Sequence, residues 1–123
     1  MNNLGHVGVI VKDTEKMKMF YSGLLDLAID FETEDEDYVQ YSVSHCDHKL
    51  DLERESLIRA DMPGSGYKGV FLRIQTDSLE AIKQLCDSLG GKIVREPVKQ
   101  DYGKTEMWLE DPEGNLIQAY KDR

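Results

Sequence analysis

The chain has 123 residues, enough for one compact domain with a real core. Acidic residues outnumber basic ones by 24 to 15, which gives a formal net charge of −9 and disfavours nucleic acid and anionic lipid as partners. No apolar run reaches the roughly 18 residues of a membrane span, and no signal-peptide pattern is visible. Together with the low cysteine content, these features predict a cytoplasmic protein without nucleic-acid or membrane partners.

The first half of the chain predicts one strand, one helix and then three strands. Asp13 caps a helix that is predicted over 14–25, because apolar residues recur there at helical spacing. Alternating or β-branched residues predict strands at about 4–11, 27–31, 38–43 and 49–55. Within the second of these strands, Asp30 and Glu32 are expected to share the solvated face.

The second half repeats this order of elements. A strand is predicted over 70–76, and Ser78 then caps a helix that Gly90-Gly91 ends. Three short strands follow, at 93–94, 105–109 and 116–120. The chain is therefore predicted to be a single domain, 1–123, with module one at about 1–58, a linker at about 59–69 and module two at about 70–123.

Two short segments resemble functional motifs but lie in the wrong context. The glycine-rich run 64–69 spells G-x-G-x-x-G, yet it leads into a strand, so no helix N-terminus is available to hold a pyrophosphate. The run His45-Cys-Asp-His48 lies where a hairpin turn is needed. We interpret it as a polar turn, the alternatives being a reactive thiol or a surface metal clip.

The period-2 alternation of the strands predicts which side chains leave the helix-packed side of each sheet. Val7, Val9 and Val11 form an apolar set expected to contact the first helix. The residues predicted on the opposite, concave face are His6, Gly8, Ile10, Asp51, Glu53, Phe71, Arg73, Gln75, Leu116, Gln118 and Tyr120. The concave side is therefore expected to be polar and charged at its centre.

The most distinctive stretch is Asp111-Pro-Glu-Gly-Asn115, a tight-turn signal between two predicted strands. Three further stretches accompany it, namely His6-Val-Gly-Val-Ile-Val-Lys-Asp13, Phe20-Tyr21 with Leu24-Leu25-Asp26-Leu27, and Tyr102-Gly103. With the doubled order of elements, this pattern resembles the vicinal oxygen chelate superfamily, also called the glyoxalase/bleomycin resistance protein/dioxygenase superfamily. The resemblance implies an α+β fold of two βαβββ modules, which form a curled mixed sheet around a shared cavity with the helices outside. It also implies a homodimer.

In the metal-using members of that superfamily, the ligands are typically His, Glu, His and Glu from the first and last strand of each module. On this chain the four positions fall on His6, then Asp51 or Glu53, then Phe71 (Gly69 with one insertion), then Gln118. The third position offers no ligand atom, and an amide oxygen replaces the fourth carboxylate. The resemblance thus implies a degenerate centre of His6, Asp51 and Gln118 for one divalent metal ion, Zn, Ni, Mn or Fe.

Two functions follow from this resemblance. The first is metal-assisted lyase or isomerase chemistry on a small molecule, with Glu53 as general base. The alternative is a metal-free protein that binds a drug or metabolite in an aromatic-lined cleft. The predicted substrate-binding residues are Phe71, Arg73, Tyr102, Trp108 and Tyr120. Arg73 would oppose a dication, and it is expected to pair with Asp51, with Glu53 or with an anionic ligand. A third, weaker hypothesis is a ligand-sensing or partner-binding module with a vestigial cavity.

Overall fold

A computed structural model describes residues 6–44, 47–57 and 71–122. The predicted linker, residues 4 and 5 of the first predicted strand, and residues 45 and 46 lie outside the described residues. The elements are β1 (His6–Val11), α1 (Thr14–Leu24), β2 (Leu27–Glu32), β3 (Tyr38–Val43), β4 (Lys49–Arg54), β5 (Leu72–Gln75), α2 (Leu79–Ser88), β6 (Lys92–Lys99), β7 (Lys104–Glu110) and β8 (Leu116–Asp122). This order confirms the predicted α+β class with two βαβββ modules.

The chain divides into two compact units, Met1–Lys68 and Gly69–Arg123, which we call unit 1 and unit 2. In the described residues, α1 belongs to unit 1 and α2 to unit 2, and each unit has a four-stranded mixed sheet, ordered β1-β4-β3-β2 in unit 1 and β5-β8-β7-β6 in unit 2. In both sheets the first strand of the unit pairs in parallel with the last, and the remaining pairs are antiparallel. The two sheets therefore repeat one topology. A single domain and a shared cavity stay predictions.

In unit 1, α1 packs against the sheet and buries an apolar core. Asp13 caps the helix by accepting a hydrogen bond from the backbone N–H of Lys16 at 3.1 Å. The core side chains are Val9, Val11, Met17, Phe20, Tyr21, Leu24, Val39, Tyr41, Leu50 and Leu52. Since Leu50 and Leu52 are buried, the intervening Asp51 points to the other side of the sheet, which we call the open face of the unit.

Unit 2 follows the same plan. Ser78 caps α2 through the backbone N–H of Ala81 at 3.1 Å, and Gly90, with φ of +86°, lies just after the helix. The helix packs on β6 and β8. Its core side chains are Ile74, Leu79, Ile82, Cys86, Met107, Leu109, Ile117 and Ala119. The alternation leaves Gln118, between buried Ile117 and Ala119, on the open face of unit 2.

The predicted extent of β6 was wrong. The sequence suggested two residues, 93–94, whereas the strand runs from Lys92 to Lys99 and contains Pro97. It is the outermost strand of its sheet, and its register with β7 shifts twice, between Ile93 and Arg95 and again before Val98. An edge strand with bulges tolerates proline, because no ladder hydrogen bond is needed on its outer side. The same irregularities interrupt the period-2 alternation, so the sequence pattern did not predict the full strand.

A bulge in β2 also overturns a predicted face. Asp30 and Glu32 were expected to share one side, but the register with β3 shifts between Ile29 and Phe31. Asp30 remains on the open face, whereas Glu32 pairs with Lys18 of α1 at 2.9 Å. The extra residue therefore moves Phe31 to the open face and Glu32 to the helix side.

The β7–β8 hairpin confirms the predicted tight turn at residues 111–115. The buried Asp111 carboxylate accepts backbone N–H bonds from Glu113 and Asn115, both at 2.9 Å, and one from the Asn115 side-chain amide at 2.8 Å. Gly114 has φ of +86°, a conformation that L side chains rarely adopt. The turn thereby fixes the register of β8, which carries Gln118.

Of the helices in the described parts of the chain, none has the length and apolar character of a membrane span.

Candidate functional site

The open face of unit 1 carries a chain of hydrogen-bonded polar side chains. Nδ1 of His6 lies 2.9 and 3.1 Å from the two carboxylate oxygens of Asp51. The Tyr38 phenol donates to Gln40 at 3.2 Å, and Gln40 in turn donates to Asp30 at 3.1 Å. Burial, together with a hydrogen bond to Asp51, raises the pKa of Tyr38 to about 12. The phenol therefore stays protonated and acts as a donor.

Asp30 is held as a carboxylate by its neighbours on this face. The ammonium group of Lys49 bonds to Asp30 and also to Ser42, the latter at 2.8 Å. The hydrogen bond from Lys49 is the main cause that lowers the pKa of Asp30 to about 2, with further contributions from Ser42 and Gln40. Lys49 and Asp30 thus compensate each other's charge, and the His6–Asp51 pair is a second ionisable contact on this face.

The open face of unit 2 is organised around one arginine. Nε of Arg73 donates to Oε1 of Gln118 at 2.6 Å, and Nη2 donates to a carboxylate oxygen of Glu106 at 2.7 Å. The guanidinium also lies over the ring of Tyr120, 4.4 Å from its centroid. The other carboxylate oxygen of Glu106 accepts a hydrogen bond from the Tyr102 phenol at 2.5 Å. We call these five residues the Arg73 cluster.

The residues of the Arg73 cluster are buried to different degrees. The Glu106 side chain is only 7% exposed, whereas that of Arg73 is 45% exposed. The carboxylate therefore lies beneath the guanidinium, so the charge presented to solvent is positive. Tyr102 is on the turn between β6 and β7, and the hydrogen bond to Glu106 is the main cause that raises its pKa.

An aromatic pair borders the Arg73 cluster. Phe71 and Trp108 make an edge-to-face contact with their ring centroids 5.0 Å apart. Phe71 is 46% exposed, which is unusual for a phenylalanine on a structured face. Trp108 pairs directly with Gln118 across β7 and β8, so the aromatic pair and the guanidinium are neighbours on one sheet face.

The two open faces are equivalent in register but differ in chemistry. Asp51 pairs with Gly8 of the parallel edge strand in unit 1, and Gln118 pairs with Arg73 at the same place in unit 2. A Cβ atom added at Gly8 would meet nothing within 4 Å, so that place in unit 1 is open. Unit 1 thus presents a histidine–carboxylate pair beside open space, and unit 2 presents a guanidinium at the corresponding position.

The predicted site residues fall into two groups. His6 and Asp51 are in contact in unit 1, and Glu53 is half-buried on the same face, opposite Tyr38. The predicted unit 2 residues that the structure brings together are Phe71, Arg73, Tyr102, Trp108, Gln118 and Tyr120. The single site that combines both groups stays a prediction.

Glu106 was not predicted as a site residue, and it forms an ion pair with Arg73 within unit 2. Pairing of Arg73 with Asp51 or Glu53 of unit 1 stays a prediction. A usable signal was present. Glu106 precedes Trp108 by two residues on the same strand, so alternation places both on one face. An acid on the inner strand of a sheet also needs a cationic partner, and Arg73 is the arginine predicted on that face.

The side chains present do not fit the metal centre that the superfamily implies. The oxygen of Gln118 already accepts a hydrogen bond from a cationic group, which opposes a dication electrostatically. The pair His6 and Asp51 supplies two donors, whereas a catalytic zinc centre usually has about three protein ligands. Within the described residues, no group of three or more His, Cys, Asp or Glu side chains is placed to hold a metal ion.

These features define an α+β protein of two βαβββ units, each with a polar open face. The family model for the Glyoxalase/Bleomycin resistance protein/Dioxygenase superfamily matches residues 3–119. The chain therefore belongs to this superfamily, as its sequence pattern suggested.

Solved structures share the fold at low sequence identity. A glyoxalase-related enzyme from Fulvimarina pelagi superposes with a TM-score of 0.84 at 13% identity, over 98% of this chain and 88% of that one. A glyoxalase/bleomycin resistance protein/dioxygenase family enzyme from Burkholderia phytofirmans PsJN gives 0.79 at 16% identity, over 99% and 100%. A glyoxalase/bleomycin resistance protein from Albidiferax ferrireducens T118 gives 0.73 at 25% identity, over 98% of both chains. No curated protein matches this chain.

Proposed function

We propose that this protein binds a small molecule without a metal ion, at the open face of unit 2 around Arg73. The observation that carries the proposal is the bond from Arg73 to Gln118, because it places a fixed cation on the oxygen that would complete a metal centre. Binding of small molecules is consistent with the superfamily to which the chain belongs.

The composition of this face supports the proposal. Small-molecule sites combine aromatic walls with a few fixed polar groups. Phe71 and Trp108 supply the wall, and Arg73 is held in place by two side-chain hydrogen bonds and by the ring of Tyr120. Because these contacts exist before any ligand arrives, little conformational entropy is lost when the guanidinium binds one.

A second candidate function is the metal-assisted lyase or isomerase that the resemblance implies. The contact between His6 and Asp51 favours it, since it brings an imidazole and a carboxylate, two common kinds of metal ligand, together on one face. For that case we propose one divalent ion (Zn, Ni, Mn or Fe) as cofactor. Its ligands would be His6, Asp51 and Gln118, and Glu53 would be the general base.

Metal titration separates the two functions. If binding is metal-free, calorimetric titration of EDTA-stripped protein with Ni²⁺ or Zn²⁺ should detect no stoichiometric binding that is lost in His6→Ala. The matched control for His6→Ala is His48→Ala, which removes another exposed histidine of unit 1. A thermal-shift screen of small aromatic molecules should then give the same stabilisation with EDTA as with metal.

Two outcomes would overturn metal-free binding. One is uptake of about one metal ion per chain that His6→Ala abolishes and His48→Ala retains. The other is ligand stabilisation or turnover that appears only after metal loading. Either result would favour the lyase or isomerase.

The resemblance also leads us to propose a homodimer in the cytoplasm. Sedimentation at micromolar concentration should give about twice the chain mass of 14.1 kDa. A species of the chain mass over that range would contradict the dimer.

Drug binding of the bleomycin-resistance type is one form of the proposed small-molecule binding.

A further inference from the structure

We propose that the ligand of unit 2 is a planar aromatic or conjugated carboxylate. Its carboxylate would lie on the outer edge of the Arg73 guanidinium, and its ring would lie against Phe71 and Trp108. This inference rests on the proposed metal-free binding function and names the ligand class of that site.

The hydrogen-bond donors of Arg73 favour a carboxylate. A guanidinium has five N–H groups, and the contacts with Gln118 and Glu106 use its Nε–Nη2 edge. The remaining edge carries Nη1 and the second N–H of Nη2, and the side chain is 45% exposed. Two parallel N–H groups on one edge match the two oxygens of a carboxylate. A neutral amide has only one such oxygen and no charge, so it cannot form this paired contact.

The charges of this face are arranged so that the guanidinium lies outside its carboxylate partner. Glu106 neutralises Arg73 only from beneath, because its side chain is 7% exposed and its other oxygen bonds to Tyr102. A second cation, Lys104, lies on the ring of Tyr120 at 4.9 Å. An incoming ligand therefore meets the guanidinium before the buried carboxylate, and it meets Lys104 together with exposed Asp122.

The counter-ion of Lys104 offers little competition. Asp122 pairs with Lys104 at the surface and is 58% exposed, and exposed ion pairs of this kind contribute little stability. An anionic ligand can therefore draw on Lys104 as well as on Arg73. The four charges of these two ion pairs sum to zero, so the attraction for an anion comes from the exposed guanidinium above buried Glu106 and not from a net positive patch.

The distance between the guanidinium and the aromatic pair suits an aromatic carboxylate. Phe71 and Arg73 are two residues apart on one side of the chain, which corresponds to roughly 7 Å at about 3.3 Å per residue. A carboxylate joined to a ring directly, or through one or two bonds, spans that distance. Phe71 is 46% exposed, so its edge and face are available to such a ring.

The test is calorimetric titration of the full chain in EDTA with three probes: 2-naphthoate, 2-naphthamide and acetate. We expect 2-naphthoate to bind at least about tenfold more tightly than 2-naphthamide, because the bidentate charged contact is lost in the amide. Acetate should bind weakly, since it lacks a ring. The preference should fall as salt is raised.

Variants locate the preference at Arg73. The double variant Arg73→Gln/Glu106→Gln removes both charges while keeping polar groups, so it avoids a buried unpaired carboxylate. It should bind the two naphthalene probes within about twofold of each other. Arg73→Lys should keep part of the preference, because charge remains but the fork is lost. Lys83→Gln, which removes a cation paired with exposed Glu96 on the helix side, is the matched control and should bind as the wild type does.

The outcomes separate the ligand class from the function. Equal binding of 2-naphthoate and 2-naphthamide to the wild type would overturn the carboxylate while leaving metal-free binding intact. A preference that survives in the double variant would overturn the role of Arg73. Binding of any probe only after Ni²⁺ or Zn²⁺ is added would overturn the proposed function itself.

Discussion

Replacing Asp111 by alanine is expected to lower the free energy of unfolding by about 3 kcal/mol. The carboxylate is buried and accepts three hydrogen bonds, two from backbone N–H groups and one from the side chain of Asn115. Alanine would remove that acceptor at a position that is only 3% exposed, and the half-buried N–H groups of the turn would lose this partner. Urea unfolding followed by the fluorescence of Trp108, the only tryptophan in the chain, measures the change next to the hairpin.

Two variants give this prediction its controls. Asp111→Asn keeps one side-chain oxygen for the backbone N–H groups and loses the charge, so about half of the destabilisation is expected. Asp101→Ala removes an exposed aspartate from the neighbouring β6–β7 turn and should change the free energy of unfolding by less than about 0.5 kcal/mol. If Asp111→Ala behaved like Asp101→Ala, the hairpin would not depend on this carboxylate.

The elements that follow a regular pattern could be predicted from the sequence. Alternation in β4 and β8 placed Asp51 and Gln118 opposite the helices, because the leucine, isoleucine and alanine neighbours have to be buried. The turn at 111–115 was predictable as well, since aspartate, proline and glycine each have a distinct role in a tight turn. These features depend on residues close together in the sequence.

Irregular strands could not be predicted in the same way. One bulge in β2 moved Phe31 to the open face, where its ring lies 6.1 Å from that of Tyr38. Such a bulge leaves no periodic signal, and it reverses the predicted face of every later residue in the strand. The same effect shortened the prediction for β6, whose two register shifts interrupt the alternation.

Alternation could place Glu106 on the open face, but it could not identify Glu106 as the partner of Arg73. Glu106 is 33 positions away along the chain, and the contact depends on the register of β5 against β8 and of β8 against β7. Several acids were compatible with pairing to this arginine. Only the order of the strands within one unit brings Glu106, and not Asp51 or Glu53, next to it within the same sheet.

Replacing Arg73 by leucine is expected to lower the free energy of unfolding by about 2 kcal/mol, less than for a fully buried pair because the guanidinium is partly exposed. Most of this cost comes from Glu106, because its buried carboxylate would keep, among the described residues, the hydrogen bond from Tyr102 but lose its cation. The variant Glu106→Gln in the wild-type background should cost about 1 kcal/mol. Urea unfolding of both variants gives the two values.

The decisive measurement is the double variant Arg73→Leu/Glu106→Gln. Because the glutamine removes the unpaired charge, it should raise the free energy of unfolding of Arg73→Leu, although it lowers that of the wild type. The sign therefore reverses, with a coupling of about 1 kcal/mol or more. The same cycle at Lys83 and Glu96, where the glutamate is 68% exposed, should give less than about 0.5 kcal/mol. Additive effects at Arg73 and Glu106 would mean that the buried carboxylate does not hold the guanidinium in place. The proposed ligand site would then have no fixed cation.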